Sequence, residues 1–419
     1  MNDVADWDWA PGDKCIADVA DWKRRFPVVH EYTVTNDGEK IAAIVEQGNK
    51  AVTVCVNGEL WPVVAERAWS LKFSPDNRLV CPMLREYEWS IVVDGSPWEE
   101  TYDYVWNLTF SADGKSIAAN IKKDNEFGIC LNGRSWETRF TEARDVVVSP
   151  DGSRTASMVK VRRVATLDIF SFAEGVITVA VDGEAWERNF LSIWGMSFSS
   201  DSRMVAAGVN LDRLTYTVAI NGVPWERTFS HIWEPLFKPG SYDVFAPVKI
   251  DGLWTLAMNG SPVWDNSFVQ LWEHRFSPTT NEIAAVVAVQ FGKWTVARDA
   301  VPWGKTFRDA VLAPVFSPDG KRVAAIVKED DRYTIAVDGT AWNERFDMVW
   351  DPVFGPDGSR IAVKAERKGA YFIAVDGRPG RESYDYLWPP IFSPDGEKVL
   401  IRCIQGGKYY RRVRPVSDV

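Results

Sequence analysis

Histidine and cysteine, the residues that most often hold metals and haem, are scarce in this sequence. Its 419 residues include 3 histidines and 5 cysteines. No C-x-x-C pair or Cys/His cluster is present, so the sequence gives no signal of a zinc, iron–sulfur or covalent haem site. An odd number of scattered thiols also argues against a disulfide framework and favours a reducing compartment. The cysteines are Cys15, Cys55, Cys81, Cys130 and Cys403.

Long apolar segments and a positive net charge are also missing. The longest apolar run, residues 283–289, is far shorter than the roughly 20 residues that cross a bilayer. The N-terminus is acidic and lacks the basic and apolar regions of a secretory signal, so we expect a cytoplasmic protein. The net charge of −10 argues against nucleic acid or an anionic membrane surface as the main partner.

Catalytic motifs are absent as well. The sequence contains no G-x-S-x-G, H-E-x-x-H or G-x-G-x-x-G. Residues 114–116 read G-K-S, but Thr109 stands where a phosphate-binding loop needs its first glycine. His30 and His274 occupy the same place in two repeats, where a hydrogen-bonded core histidine is the expected role. We therefore predict that the protein is not an enzyme and has no catalytic, cofactor-binding or metal-ligating residue.

What the sequence does have is a repeat. The motif F-S-P-D-G, or a decayed form of it, recurs about every 40 residues, a spacing typical of propeller blades. A second motif, D/N-G-x-x-W or a close variant, follows the first nine, and the next F-S-P-D-G begins 16 or 17 residues later each time. This constant spacing indicates that the chain between the motifs is ordered. The repeats start near Tyr32, Phe73, Phe110, Val148, Phe198, Phe237, Phe276, Phe316, Phe354 and Phe392.

Each repeat predicts four short antiparallel strands, which we name a to d in chain order. In residues 349–377, P-D-G separates strands a and b, Lys368-Gly369 separates strands b and c, and D-G begins the turn to strand d. Several strands a contain a proline, which indicates an edge strand such as the one that lines a propeller channel. We therefore predict that residues 1–419 form a single all-β propeller of about ten four-stranded blades. The alternative is two five-bladed discs.

The two ends of the chain predict how the ring closes. The tenth repeat stops after strand c, and residues 22–26 (W-K-R-R-F) match strand d of other repeats, for example residues 342–346. We expect residues 22–26 to complete the last blade. Charge favours this closure, because residues 1–21 carry six Asp and one Lys whereas the last repeat is rich in Lys and Arg.

Fifteen of the 21 tryptophans fall into two columns of the repeat. Blade-to-blade packing is the expected role, because each buried indole removes a large apolar area from water. An electron relay or a stacking platform is the alternative. The D/N-G-x-x-W column contains Trp61, Trp98, Trp136, Trp186, Trp225, Trp264, Trp303 and Trp342. The strand-a column contains Trp69, Trp106, Trp194, Trp233, Trp272, Trp350 and Trp388.

Two irregular segments are candidates for partner binding. The distance from F-S-P-D-G to D/N-G is 34 residues in the fourth repeat, against 21 to 25 in the others, and the extra residues lie in the b–c hairpin. An apolar hairpin tip with no blade of its own to cover is a plausible partner contact. The acidic aromatic segment around Trp7 and Trp9 is the second candidate. The apolar residues of the hairpin are Leu167, Ile169, Phe170 and Phe172.

These motifs resemble known families. The S-P-D-G turn resembles WD40-like, TolB-type propeller repeats. The tryptophan columns and the opening W-D-W-A-P-G resemble the tryptophan-rich (TmcD-type) propeller subunit of the transmembrane Tmc redox complex of sulfate-reducing bacteria. That resemblance implies a cytoplasmic subunit without a cofactor, peripheral to the inner membrane through its partners. The implied partners are a periplasmic cytochrome c, a membrane cytochrome b and a cytoplasmic iron–sulfur subunit, which together carry electrons inward in sulfate respiration.

Three functional hypotheses follow. The first is a non-catalytic scaffold or regulatory subunit of a membrane-associated electron-transfer complex. The second is a general protein–protein adaptor. The third is a propeller glycosidase or lyase that uses carboxylates at the channel mouth, for which Glu234, Glu273 and Asp351 are the candidates.

Overall fold

Ten four-stranded antiparallel sheets make up a single ten-bladed β-propeller. The computed structural model describes residues 4–48, 50–161 and 175–419. We number the blades I to X in chain order and keep the names a to d for the strands of each blade. The prediction of an all-β propeller with ten blades is confirmed.

The strands follow the order a-b-c-d across each sheet. Strands a of blades I to X are Val28–Val34; Arg67–Ala68 with Lys72–Phe73; Tyr104–Phe110; Glu142–Val148; Ser192–Phe198; Leu236–Phe237; Gln270–Phe276; Ala310–Val311 with Val315–Phe316; Met348–Val349 with Val353–Phe354; and Tyr386–Leu387 with Ile391–Phe392. Strands b are Ile41–Glu46, Leu79–Arg85, Ile117–Lys123, Thr155–Lys160, Val205–Asp212, Val244–Ile250, Ile283–Gln290, Val323–Glu329, Ile361–Arg367 and Lys398–Gln405.

Strands c are Val52–Val56, Glu88–Val93, Glu126–Leu131, Ile177–Val181, Thr215–Ile220, Leu253–Met258, Lys293–Arg298, Arg332–Val337, Ala370–Val375 and Lys408–Pro415. Strands d are Glu59–Leu60, Ser96–Pro97, Arg134–Ser135, Glu184–Ala185, Val223–Pro224, Ser261–Pro262, Val301–Pro302, Thr340–Ala341, Arg378–Pro379 and, for blade X, Gly12–Asp18 from the N-terminal region. The described helices are the α-helix Val19–Arg25 (α1) and the short 3-10 helices Val4–Asp6 and Val416–Asp418.

The serine and aspartate of S-P-D-G hold each a–b turn. In blade VIII the Ser317 hydroxyl donates to Asp319 (2.6 Å) and accepts from the Arg322 N–H (3.0 Å). The bond from Ser317, helped by the N–H of Lys321, lowers the pKa of the Asp319 carboxyl below its usual value. The same Ser–Asp pair closes the turns of blades II, III, IV, V and X. The motif is therefore a folding signal. In blade I the pair is Thr35 and Asp37, so this turn begins later than a repeat start at Tyr32 implies.

The Asp or Asn of the D/N-G motif fastens the c–d turn to strand b. Asp338 has a φ of 49°, which aspartate tolerates better than most residues, and its Oδ1 accepts the N–H of Val323 at 2.9 Å. Its own N–H donates to the Val323 carbonyl at 2.9 Å. The equivalent side chain makes the same bond in blades I to IX. These bonds fix the register between the start of strand b and the c–d turn.

Strand a is the innermost strand and is divided where it contains proline. Strands a of neighbouring blades contact one another: the Ser197 hydroxyl donates to the Pro235 carbonyl at 3.1 Å. In blades VIII, IX and X the two pieces of the strand flank Pro314, Pro352 and Pro390, because proline has no N–H for the ladder.

The hydrophobic core lies between the blades and closes a single ring. In the described part of the chain it forms ten clusters, and each joins two neighbouring blades. Blades V and VI share one cluster, so the ring has no break where two five-bladed discs would separate. Blades X and I share another, in which the Tyr409 hydroxyl donates to the Gly38 carbonyl at 3.1 Å.

The N-terminal region closes the ring, but with a different segment from the one predicted. Gly12–Asp18 pairs with strand c of blade X, and residues 22–26 lie in and just after α1. Asp18 caps this helix by accepting the N–H of Asp21 at 2.8 Å. The predicted charge complementarity is present, because Asp13 forms ion pairs with Arg412 and Arg414 at 3.4 and 2.6 Å.

Strand d of the regular blades is shorter than the Trp-to-Phe pattern predicted. In blade VIII it ends at Ala341, before Trp342. The Trp342 N–H still donates to the Ile335 carbonyl (2.8 Å), and Phe346 bridges Tyr333. The indole thus leaves the sheet and packs against the next blade.

Candidate partner-binding face

The ring has two faces of different construction. The a–b and c–d turns form one face, which we call the turn face. The b–c hairpins and the connections from strand d to the next strand a form the other, which we call the hairpin face. The turns carry the S-P-D-G and D/N-G motifs, so their residues are committed to holding the fold. The hairpins carry no such motif and are free to differ from blade to blade.

Pairs of aromatic rings line the hairpin-face side of the blades. Each tryptophan of the strand-a column contacts an aromatic residue near the start of strand c in its own blade. The pairs and their centroid distances are Trp69–Trp89 (4.6 Å), Trp106–Phe127 (6.0 Å), Trp194–Tyr216 (6.0 Å), Trp233–Trp254 (5.6 Å), Trp272–Trp294 (4.8 Å), Trp350–Tyr371 (5.8 Å) and Trp388–Tyr409 (5.8 Å). This regular pairing within blades is what packing requires. Most of these indoles are half-buried, and Trp233 is 40% exposed.

One aromatic pair holds a cation of the chain itself. Lys364 of strand b in blade IX is 9% exposed, and its ammonium lies 4.0 Å from the ring centre of Trp350 and 4.6 Å from that of Tyr371. Tyr386 of the next blade adds a third ring at 5.4 Å. Burial lowers the pKa of this lysine. The faces of the aromatic rings therefore stabilise the positive charge of Lys364 in place of water.

In blades III, V and VII, strand a carries a bulge directly after its tryptophan. In blade VII the pairing with strand b shifts between Trp272 and Arg275, and Glu273 has a φ of 52°. The three carboxylates that are candidates for catalysis each directly follow the tryptophan of their strand a. Glu234 and Glu273 line the same cavity on blades V to VII, whereas Asp351 lies in blade IX and does not line it. Arg275 forms an ion pair with Glu273.

The most exposed large apolar side chains of the described residues stand on hairpin tips. They are Phe291 (96% exposed), Tyr87 (87%) and Leu214 (80%), in the b–c hairpins of blades VII, II and V. Sequence reasoning missed all three because a single apolar residue in a short turn carries no motif. The only cue was their position between strands b and c.

The partner-binding residues predicted from the sequence lie in two segments, and one of these segments is among the described residues. Leu167, Ile169, Phe170 and Phe172 lie outside the described residues. Trp7 and Trp9 stack on each other with ring centres 6.1 Å apart, and the Trp9 indole donates to the Val4 carbonyl (2.8 Å). This segment lies on the turn face, because Arg411 donates to the carbonyls of both Asp8 and Asp37. A role in partner binding stays a prediction for both segments.

The cysteines are free thiols. Cys55, Cys81, Cys130 and Cys403 are buried, and burial raises the pKa of Cys55 to about 11 and those of Cys130 and Cys403 to about 12. Cys15 is exposed. Within residues 4–48, 50–161 and 175–419, no group of three or more His, Cys, Asp or Glu side chains is placed to hold a metal ion.

Among the described helices, none has the length and apolar character needed to cross a membrane.

Comparisons with known proteins identify no family. No protein-family model matches the chain, and no curated protein matches it. A structure titled "Crystal structure of the eukaryotic initiation factor" is 12% identical with a TM-score of 0.48, over 79% of this chain and 91% of that one. A structure titled "Structure of Dos1 propeller" is 12% identical with a TM-score of 0.36, over 97% and 94%.

The class of this protein is that of the β-propellers. Its own strand pairing specifies the class further as a ten-bladed propeller, a fold compatible with a non-catalytic scaffold or adaptor. Similarity at this level carries no argument about activity or partners.

Proposed function

We propose that this propeller is a non-catalytic scaffold that binds a protein partner on its hairpin face. The observation that carries the proposal is the position of Phe291, Tyr87 and Leu214, the three most exposed large apolar side chains among the described residues, on hairpin tips of that one face. Loop tips hold these large apolar groups in water. A partner that covers them removes apolar surface from water, which lowers the free energy of the complex. The half-buried indoles behind the tips give the face a rigid base.

The cavity carboxylates support a binding role over glycoside hydrolysis. That reaction uses two carboxyl groups, one as an acid and one as a base or nucleophile. Of the two in the cavity, Glu273 is engaged by Arg275, which leaves Glu234 as the free one. Assay of a panel of glycosides and polyuronates tests this point. Turnover that is lost in both Glu234→Gln and Glu273→Gln would establish an enzyme instead.

We further propose that the partner belongs to a membrane-associated electron-transfer complex, with a cytochrome b and an iron–sulfur subunit among its members. The support is the resemblance of the repeat and of the W-D-W-A-P-G opening described above. Affinity purification of the tagged chain from detergent extracts of its native host tests it, with the bound proteins identified by mass spectrometry. Recovery of cytochrome b and iron–sulfur subunits is the expected result. Recovery of unrelated proteins would contradict the electron-transfer complex and favour the general adaptor.

A further inference from the structure

A cavity of about 310 Å³ opens on strands a of blades V to VII. Its lining includes Trp233, Glu234, Pro247, His274 and Gly195. Trp233 is 40% exposed, and its indole stacks on Trp254 of the same blade at 5.6 Å with an interplanar angle of 15°. The cavity therefore has an aromatic wall that is accessible on one side and supported on the other.

The backbone is shaped to place a carboxylate in this cavity. Gly195 of blade V has a φ of 61°, and a Cβ on it would lie 2.5 Å from Cγ of Glu234. Any other residue here would displace the glutamate. Glu234 makes no hydrogen bond or ion pair with the described residues. Because Glu273 is neutralised by Arg275, the cavity keeps one uncompensated negative charge.

A neutral histidine completes the lining of the cavity. His274 is 2% exposed, and its Nε2 has no hydrogen-bond partner among the described residues. Burial and the neighbouring Arg275 lower the pKa of the imidazole to about 3, so the ring is neutral at pH 7. The Phe245 carbonyl accepts the other ring N–H, which leaves Nε2 with its lone pair. Nε2 is itself buried, and the neutral ring puts no positive charge beside Glu234.

Blade IX shows which group packs against the equivalent tryptophan of the repeat. The backbone N–H of Trp350 donates to the Lys364 carbonyl (3.0 Å), and the backbone N–H of Trp233 donates to the Pro247 carbonyl (2.9 Å). Pro247 therefore has the same position in blade VI as Lys364 has in blade IX. In blade IX the lysine ammonium lies against the indole. In blade VI proline supplies no ammonium at this position, and Pro247 lines the cavity. Lys249, two residues further along, places its ammonium 6.0 Å from the Trp254 ring centre and does not line the cavity.

We propose that the cavity formed by Trp233, Glu234 and His274 binds an organic ammonium of the size of a lysine side chain. The indole face and the carboxylate stabilise the positive charge. The ligand lies against the indole of the strand-a column, as the ammonium of Lys364 does in blade IX. This inference goes beyond the scaffold function and does not depend on which partner covers the hairpin face. The ammonium can come from a lysine of a protein or from a small free amine.

Titration with n-butylammonium, followed by calorimetry or ligand-observed NMR, tests the site on the full chain. We expect binding that is about tenfold stronger than that of 1-butanol, its uncharged counterpart. Glu234→Gln should weaken butylammonium binding by about tenfold. The matched control is Asp351→Asn, which removes a carboxylate at the same strand position in blade IX, where Lys364 already fills the cage; it should leave binding unchanged. Equal binding of the alcohol, or equal weakening by both variants, would overturn the proposal.

Exchange of the two blades gives a second test. Pro247→Lys should fill the cavity with the chain's own ammonium and abolish butylammonium binding, while Lys364→Ala should add a second site in blade IX. Retained binding in a folded Pro247→Lys variant contradicts the proposal. A titration with Nα-acetyl-lysine-N-methylamide and a lysine-containing peptide distinguishes the sources. Tighter binding of the peptide identifies a protein lysine, equal binding identifies a small amine, and no binding of any ammonium overturns the site.

Discussion

The indole of Trp22 lies over Gly58, with Nε1 3.7 Å from the position that a Cβ on this glycine would take. The same relationship joins Trp61 to Gly95, at 3.4 Å, and Trp342 to Gly377, at 3.0 Å, each across a blade boundary. Trp22 therefore does at the boundary of blades X and I what the D/N-G-x-x-W column does elsewhere. Helix α1 delivers it there although the other indoles follow a strand d.

Replacement of Trp22 tests the closing contact. The side chain is 2% exposed, so Trp22→Ala should reduce the free energy of unfolding by about 3–5 kcal/mol. Arg24→Ala on the same helix is the matched control, because Arg24 is 68% exposed and should change stability little. Thermal unfolding followed by circular dichroism measures both. Equal midpoints for the two variants would mean that the indole does not hold the ring closed.

Truncation tests the closing strand. Removal of residues 1–18 deletes strand d of blade X, exposes the edge of strand c and takes away the Asp13 partner of Arg412 and Arg414. We expect a lower unfolding midpoint and a tendency to aggregate, because an unpaired strand edge recruits other chains. Removal of residues 1–10 leaves the strand in place and should cost less. The account fails here if both truncations unfold at the temperature of the intact chain.

The packing of indole on glycine predicts a difference between two glycines of blade IX. Gly377 has a φ of 80° and lies under Trp342, whereas Gly369 has a φ of 76° and open space around it. In both alanine variants the left-handed backbone conformation should lower the free energy of unfolding by about 1 kcal/mol. Gly377→Ala also overpacks the boundary, which should add about 1–3 kcal/mol. Urea unfolding of the two variants measures the difference, and equal losses would rule out the clash.

His274 predicts a pH dependence of stability. Its folded pKa of about 3 lies below the unfolded value of about 6.5, so the unfolded state binds a proton first as the pH falls. The contribution of this residue is full above pH 6.5 and is lost progressively as the pH falls toward 3. Between pH 7 and 5 the loss should be about 2 kcal/mol. Urea midpoints of the wild type should fall more steeply over this range than those of His274→Gln, and parallel curves would contradict the assignment.

The thiols predict selective labelling. Cys15 is exposed, while burial raises the pKa values of the other four thiols. A thiol reagent at pH 8 should modify Cys15 alone in the folded chain and all five cysteines in denaturant. Cys15→Ser should abolish labelling of the folded protein. Fast modification of further thiols would show that the blades open.

The repeat made the fold predictable because its motifs are hydrogen-bonding devices. Ser317 with Asp319, and Asp338 with Val323, show that each motif closes a particular turn. The segment around Trp22 was assigned to the wrong element for a definable reason. A Trp and a Phe four residues apart share one face of a strand and also one face of a helix, so the spacing fits both.

The cavity could not be predicted in the same way. It depends on which residues three successive blades bring together, and no single repeat contains it. His274 was expected to be a hydrogen-bonded core residue, yet its Nε2 has no partner among the described residues. The contrast between Pro247 and Lys364 was visible in the aligned repeats, but its meaning required the position of the ammonium over Trp350.

Comparison of the two faces tests the central claim that the hairpin face binds the partner. One variant replaces Tyr87, Leu214 and Phe291 with serine. Its matched control has serine in place of three exposed apolar residues of the turn face, Val223, Val301 and Tyr242. Co-purification of tagged chains from native-host extracts, quantified by mass spectrometry, should show at least about tenfold less bound partner for the hairpin-face variant and an unchanged amount for the turn-face variant. Undiminished binding by the hairpin-face variant, or equal loss in both, would contradict the account.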